Sequence, residues 1–305
     1  MTRVAVVQAG SVAFDTAATL ERFEMLLDDA AADEVALAVF PEAFVGGYPK
    51  GHGFGTVVGS RSEEGHDWFA RYHAGAIDVP GPETDHLAAL CAERGIEAVV
   101  GVIERAGGTL YCTALLIGSD GTLRGKHRKL MPTAAERLIW GFGDGSTMPV
   151  AATPVGNVGA AICWENYMPL YRTTLYAKGI ELWAAPTVDD RERWRVTMRH
   201  IAVEGRCFVL SACQYTTRSD YPADYPVDLD GPLIAGGSCI VAPDGELLAG
   251  PLRDGPGILS ADIDLTDIAR ARFDFDATGH YARLDVFSLH VDESRHDPVV
   301  FDPER

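Results

Sequence analysis

Short apolar runs rich in β-branched residues alternate along this chain with longer segments in which apolar residues recur at helical spacing. Val4 to Gln8 has the composition of a buried strand. After a possible N-cap at Asp15, the residues Leu20, Phe23 and Leu27 share one helical face. Buried strands that alternate with amphipathic helices are typical of α/β proteins. The sequence therefore predicts an α/β fold.

The same alternation continues to about residue 272. Further strands are expected at residues 37–40, 98–104, 110–118, 122–126, 158–162, 182–184, 208–213, 238–241 and 258–263. Further helices are expected around residues 87–91, 169–178, 191–205 and 265–272. A glycine-containing turn at 105–109 predicts a hairpin, and the acidic, Pro-rich stretch 220–231 predicts a long loop. Because no linker or internal repeat divides the chain, we expect a single domain over residues 1–305.

The charge balance excludes several classes of function. Lys and Arg total 26 against 44 Asp and Glu, which gives a formal net charge of −18 and disfavours binding to nucleic acid or anionic lipid.

No apolar run reaches the roughly 20 residues of a membrane helix, and the first ten residues lack a signal-peptide pattern. A cytoplasmic protein is expected. The six cysteines form no CxxC pair and the nine histidines show no metal-binding spacing, so we expect no disulfide framework and no metal site.

Three reactive side chains stand at or just past the ends of predicted strands, where the ligand sites of α/β sheets gather. They are Glu42, Lys129 and Cys163. Each also has a simpler interpretation: Glu42 as a solvated carboxylate, Lys129 as a surface lysine and Cys163 as a thiol of the apolar core. Glu42 lies between apolar neighbours, which favours a buried carboxylate paired with a cation. Only four Lys accompany 22 Arg, and two of the four lie within residues 126–129, which suggests a specific need for an ammonium group.

Together these three residue types can perform acyl-type chemistry. A thiol becomes a good nucleophile when a base removes its proton, and Glu42 can be that base. Lys129 and the backbone amide after Cys163 can stabilise the negative charge that develops on the substrate. A distant histidine partner for Cys163 remains open. Glu136 can form a capping box with Thr133 or serve as a second catalytic carboxylate.

Three segments carry a family resemblance. Residues 40–49 (FPEAFVGGYP), 126–133 (KHRKLMPT) and 162–169 (ICWENYMP) resemble the glutamate, lysine and cysteine motifs of the nitrilase (carbon-nitrogen hydrolase) superfamily, and specifically its true nitrilase branch. Further similar segments are residues 136–146, 176–181, 198–202, 204–211 and 279–283. The resemblance thus extends from residue 4 to about residue 287.

The resemblance implies an α-β-β-α sandwich whose layers extend across a dimer, with a homodimer or higher homo-oligomer as the assembly. It implies Cys163 as nucleophile, Glu42 as general base, Lys129 as stabiliser of the tetrahedral species and Glu136 as second carboxylate. By the same resemblance the substrate pocket would be lined by Tyr48, Thr133, Trp140 and Trp164.

The implied reaction is hydrolysis of a small organic nitrile to a carboxylic acid and ammonia through a thioimidate on Cys163, without a metal or cofactor. Hydrolysis of an amide or of hydrogen cyanide by the same residues is one alternative, and a non-catalytic oligomeric scaffold is another. Asn166 replaces the histidine of many bacterial relatives, which bears on substrate choice. The tail after residue 287 is short, which argues against long filaments.

Overall fold

The computed structural model describes residues 1–227, 231–297 and 299 of the chain. The strands are β1 (Thr2–Gln8), β2 (Leu37–Val39), β3 (Ile77–Asp78), β4 (Glu97–Ala106), β5 (Thr109–Ile117), β6 (Leu123–Arg128), β7 (Val150–Thr153), β8 (Gly156–Ala160), β9 (Leu182–Thr187), β10 (Phe208–Cys213), β11 (Tyr215–Thr216), β12 (Ile234–Ala235), β13 (Cys239–Val241), β14 (Leu247–Ala249) and β15 (Gly257–Ile263). The helices are α1 (Thr16–Ala32), α2 (Glu63–Ala74), α3 (Pro82–Arg94), α4 (Pro169–Ala177), α5 (Glu192–Gly205) and α6 (Thr266–Asp274).

Most of the strands belong to two mixed sheets. The first has the order β15-β1-β2-β4-β5-β6, with β3 added beside β4. The second has the order β14-β13-β10-β9-β8-β7. Strands β1, β2 and β4 run parallel, and so do β8, β9 and β10, whereas the outer strands pair antiparallel. The hairpin expected at residues 105–109 joins β4 to β5.

The two sheets pack face to face, and helices cover their outer faces. Successive residues of a strand point to opposite sides, and both sides are apolar here. Val4 and Val6 enter the core between the sheets, whereas Ala5 and Val7 pack against Phe23 of α1. The second sheet is covered on its outer face by α4 and α5. This arrangement is the predicted α-β-β-α sandwich.

Helix α1 illustrates how the sequence determines an element. The Asp15 side chain accepts a hydrogen bond from the backbone N–H of Ala18 at 3.0 Å, which caps the first turn as predicted. Phe23 and Leu27 are fully buried against the first sheet. Burial of each of these side chains contributes about 1.5–3 kcal/mol, so packing rather than helical propensity fixes α1 in place.

The structure differs from the expected elements at several points. Helix α2 and strands β3, β7, β11, β12 and β14 were not expected. Strand β8 ends at Ala160 rather than at residue 162, because a 3₁₀ turn begins at Cys163. Within the expected loop 220–231, residues 228–230 lie outside the described part of the chain, as do 298 and 300–305 of the tail. No helix in the described residues combines the length and apolar character needed to cross a bilayer.

Candidate active site

Three loops at one end of the sheets bring Glu42, Lys129 and Cys163 together. Glu42 follows β2 by three residues, Lys129 follows β6 directly, and Cys163 follows β8 by three residues. Each strand is anchored by apolar packing, so the ends of the strands fix where these side chains emerge. Glu42 and Lys129 are fully buried and Cys163 is 3% exposed. The buried, cation-paired carboxylate predicted at position 42 is present.

The Lys129 ammonium lies between two carboxylates. Its Nζ donates to Glu42 Oε1 at 2.6 Å and to Glu136 Oε2 at 2.8 Å. The Cys112 thiol also faces Glu42 Oε1, at 3.6 Å. Within the described residues Glu42 Oε2 has no hydrogen-bond partner, so this oxygen is free to accept a proton. Burial raises the pKa of Glu42 to about 7 against the lowering effects of Lys129 and the Cys163 thiol.

Cys163 occupies a strained turn. Its φ of 50° lies in the left-handed region, which is uncommon for a residue other than glycine. The Asn166 side chain stabilises the turn by donating to the carbonyl oxygens of Ala161 and Cys163, both at 2.8 Å. Asn166 is fully buried and accepts a hydrogen bond from Trp183 Nε1 at 2.8 Å, so its side chain stabilises the turn from the protein interior.

The Cys163 sulfur has a hydroxyl partner that the sequence did not single out. Thr187 Oγ1 donates to Cys163 Sγ at 3.3 Å. Burial raises the pKa of the Cys163 thiol well above its usual value, and the charge of Glu42 raises it further, while Lys129 and Thr187 lower it. The thiol is therefore protonated in the resting site, and it requires a base before it can attack.

Glu136 has contacts that bear on both interpretations that the sequence left open. It accepts the backbone N–H of Thr133 at 2.6 Å, which is half of a capping box, and it also pairs with Lys129. Its second oxygen accepts from the Tyr48 hydroxyl at 2.8 Å. The Thr133 hydroxyl makes no hydrogen bond to the described part of the chain, so the reciprocal half of the box is not formed. Glu136 thus faces the ammonium from within the 3₁₀ turn Ala134–Leu138.

A cavity of about 270 Å³ opens over the Cys163 side chain. It is lined by Tyr48, Lys50, Thr133, Glu136, Cys163, Trp164, Val188, Asp189, Asp190 and Arg191. Trp164 is 39% exposed, and its Nε1 donates to Asp189 Oδ2 at 2.9 Å. Trp140 lies elsewhere, with its ring 5.5 Å from Lys129 Nζ in the wall of an adjoining cavity of about 320 Å³.

Three residues of the candidate site were not predicted from the sequence, namely Thr187, Asp189 and Arg191. All three stand at or just beyond the end of β9, between Leu182 and the start of α5. The rule that directed attention to Glu42 applies equally here, because β9 lies next to β8 in the parallel part of its sheet. A search of every parallel strand end would therefore have found them.

Comparison with known proteins identifies the family of the chain. The family model for carbon-nitrogen hydrolases matches residues 3–273. The chain belongs to the carbon-nitrogen hydrolase family. This carbon-nitrogen hydrolase is 58% identical to the aliphatic nitrilase of Sinorhizobium fredii over 305 residues, which cover 98% of each chain. It is 54% identical to the bifunctional nitrilase/nitrile hydratase of Lupinus angustifolius, over 98% of this chain and 88% of that one.

Among solved structures, the hydrolase resembles the NitFhit protein of C. elegans. The TM-score is 0.76 with 19% sequence identity, over 97% of this chain and 68% of that one. This similarity supports the sandwich fold. The curated relatives place the hydrolase in the nitrilase branch, which confirms the branch that its motifs predicted.

Proposed function

We propose that this hydrolase converts an organic nitrile and two molecules of water into a carboxylic acid and ammonia, with Cys163 as nucleophile. The observation that carries the proposal is the position of the Lys129 ammonium, 2.6 Å from Glu42 and 2.8 Å from Glu136, in a site that also holds the Cys163 thiol. The identity of 58% to an aliphatic nitrilase supports the choice of a nitrile rather than an amide.

In the first step the Cys163 proton passes to the free Glu42 Oε2, and the sulfur forms a bond to the nitrile carbon. The proton then moves to the nitrile nitrogen, which gives a covalent thioimidate and returns Glu42 to its ionised state. Lys129 stabilises the negative charge that develops on the substrate, because a buried cation acts strongly where water is excluded. No group leaves in this step, so atoms and charge balance within the site.

Water next adds to the thioimidate carbon and produces a tetrahedral intermediate that carries OH, NH₂ and the sulfur. Departure of ammonia leaves a thioester, and a second water activated by Glu42 releases the acid and the free thiol. Departure of the sulfur instead of ammonia releases an amide. The charges of Lys129 and Glu136 influence which group leaves. The bifunctional name of the Lupinus angustifolius relative, 54% identical, supports a site able to produce both.

We also propose that the protein acts as a homodimer or a higher homo-oligomer. Tyr281, Leu284 and Phe287 are 60%, 86% and 76% exposed beside a mainly apolar cavity of about 600 Å³ at α4. Apolar surface of this kind supports an interface. Sedimentation velocity of the wild type and of Leu284→Asp tests this proposal, since the charge should dissociate the oligomer.

Two further proposals concern the chain as a whole. The two sheets share one apolar core, which supports a single domain over residues 1–305. All six cysteines are buried free thiols, which fits the reducing conditions of the cytoplasm.

The decisive experiment measures ammonia release from aliphatic, aromatic and arylaliphatic nitriles, their amides and cyanide. Cys163→Ala is the test variant, and Cys91→Ala is the matched control because Cys91 is a buried free thiol on the core-facing side of α3. Nitrile turnover that persists in Cys91→Ala and is lost in Cys163→Ala supports the proposal. Turnover of amides or cyanide alone would assign a related hydrolase activity instead. Absence of turnover on every compound would favour the scaffold alternative.

A further inference from the structure

A buried carboxylate connects the loop that carries Lys129 to the loop that carries Cys163. Glu165 is 1% exposed. Its Oε1 accepts the backbone N–H of Leu130 at 2.6 Å, and its Oε2 accepts the backbone N–H of Ile162 at 2.8 Å. Leu130 follows Lys129 and Ile162 precedes Cys163 in the chain. One side chain therefore holds the backbone next to both reactive groups.

A buried histidine holds Glu165 in this position. His127 Nδ1 lies 2.6 Å from the carbonyl oxygen of Thr147, and His127 Nε2 lies 2.8 Å from Glu165 Oε2. A carbonyl oxygen only accepts, so Nδ1 carries a proton. Both oxygens of Glu165 already accept backbone N–H groups, so Nε2 donates to Oε2, and the ring with a proton on each nitrogen is an imidazolium. Burial alone would lower the pKa of His127, but the charge and hydrogen bond of Glu165 outweigh it and the pKa is raised.

The pair belongs to the site without lining it. Neither residue is among those that surround the Cys163 cavity. A buried ion pair often contributes little to stability compared with apolar residues of similar volume, because desolvation offsets the attraction between the charges. The specific gain here is geometric, since Glu165 satisfies two backbone donors on two separate loops. A shift of one loop against the other would break one of these hydrogen bonds.

Resting on the nitrile hydrolysis proposed above, we propose that Glu165, held by His127, is a positioning residue that sets the separation of the Lys129 ammonium and the Cys163 thiol. This separation influences the products. Ammonia leaves the tetrahedral intermediate when the site stabilises the charge that develops on that intermediate. Displacement of the Lys129 ammonium therefore slows the departure of ammonia relative to the departure of the Cys163 sulfur. Loosening the two loops therefore raises the fraction of amide.

The test variant is Glu165→Gln. Glutamine has the size of glutamate but only one accepting oxygen, so it cannot accept from both Leu130 and Ile162 in the present geometry. We expect kcat to fall about 10- to 100-fold, the scale of a misplacement near 1 Å, and the amide fraction to rise about threefold or more. KM should stay within about twofold because Glu165 does not line the cavity. Alkylation of Cys163 by iodoacetamide, followed by mass spectrometry, should slow as well.

The matched control is Glu97→Gln. Glu97 is 3% exposed and likewise accepts a backbone N–H, from Ser119 at 2.9 Å, and pairs with a cation, Arg124, at 3.0 Å. Glu97 is the first residue of β4. It precedes Gly101, which packs against the Glu42 loop, by four residues, or about 13 Å along the strand. We expect this variant to lose thermal stability but to keep the amide fraction and the alkylation rate of the wild type.

A folded Glu165→Gln protein with an unchanged amide fraction and alkylation rate would overturn the proposal, as would equal changes in Glu97→Gln. If Glu165→Gln does not fold, His127→Gln takes its place, because it keeps both backbone hydrogen bonds of Glu165. We expect smaller changes in the same direction, and no change would overturn the proposal. A wild type that releases no ammonia from any nitrile would refute the proposed function, while the alkylation rates would still test the positioning role.

Discussion

The Thr187 hydroxyl offers a sharp test of how the nucleophile is activated. Thr187→Val keeps the shape of the side chain but removes the hydroxyl that donates to Cys163 Sγ at 3.3 Å. Because this hydrogen bond lowers the pKa of Cys163, its loss should make the thiolate harder to form. The same hydroxyl accepts the backbone N–H of Asp189 at 2.9 Å, so the variant also leaves a buried donor unpaired.

The magnitudes follow from these two hydrogen bonds. A hydrogen bond to a charged group contributes about 1.5–3 kcal/mol, which corresponds to about a 10- to 150-fold change in rate. The bond to Cys163 is long, and the sulfur carries only part of a charge in the transition state. We therefore expect kcat/KM to fall about tenfold. The unpaired N–H of Asp189 should lower the free energy of unfolding by about 1–3 kcal/mol.

Thr19→Val is the matched control, because Thr19 is also fully buried and its hydroxyl also donates one hydrogen bond and accepts another. It lies in α1, away from the cavity over Cys163. Steady-state kinetics and iodoacetamide alkylation of Cys163 should separate the two variants, while thermal unfolding should show a loss of stability in both. Equal kcat/KM values for Thr187→Val and Thr19→Val would refute the assigned role of the Thr187 hydroxyl.

Three further outcomes are expected. The wild-type kcat/KM should rise as the pH increases through about 7, since the pKa of Glu42 is raised to about 7 and only its ionised form accepts a proton; a flat profile would contradict this. In Glu136→Gln that rise should move to lower pH, because the charge of Glu136 raises the pKa of Glu42, and an unchanged profile and acid-to-amide ratio would remove Glu136 from the mechanism. Gly101→Ala should lower kcat by about tenfold or more, since its Cβ would lie 2.1 Å from the Pro41 carbonyl oxygen beside Glu42. The control Gly108→Ala, whose Cβ meets nothing within 4 Å, should stay within about twofold of the wild type.

The α/β class could be predicted from the sequence because the strands are apolar on both faces, whereas the order of the layers was implied only by the family resemblance. Val4 to Val7 reads as a continuous buried run, and this pattern requires covering layers on both sides. Helix α2 could not be predicted in this way, since its sequence is largely polar and only Gly65, Trp68 and Tyr72 are buried. Its position depends on aromatic contacts with distant segments, such as the edge-on contact of Trp68 with Phe14.

The candidate site shows the same division. Glu42, Lys129 and Cys163 stand out in the sequence because each interrupts or ends an apolar run. Thr187 and His127 do not, because their significance depends on partners 24 and 38 residues away in the chain. Glu136 shows a third situation, in which the local pattern supports two roles and the structure contains one hydrogen bond of the capping box together with the ion pair to Lys129. Sequence alone could state that choice but not resolve it.

The charges of the site also explain how a thiol with a raised pKa can serve as a nucleophile. When Glu42 and Glu136 are ionised and Lys129 is protonated, the charges of the three groups sum to −1. Loss of the Cys163 proton to solvent would add a second negative charge to the site and is therefore strongly disfavoured. Transfer of the Cys163 proton to Glu42 leaves that sum unchanged, because one anion replaces another around the same ammonium. The raised pKa of Glu42 makes this exchange less unfavourable, since it brings the proton affinity of the base closer to that of the thiol. The burial that keeps the resting thiol protonated thus also strengthens the base that removes its proton.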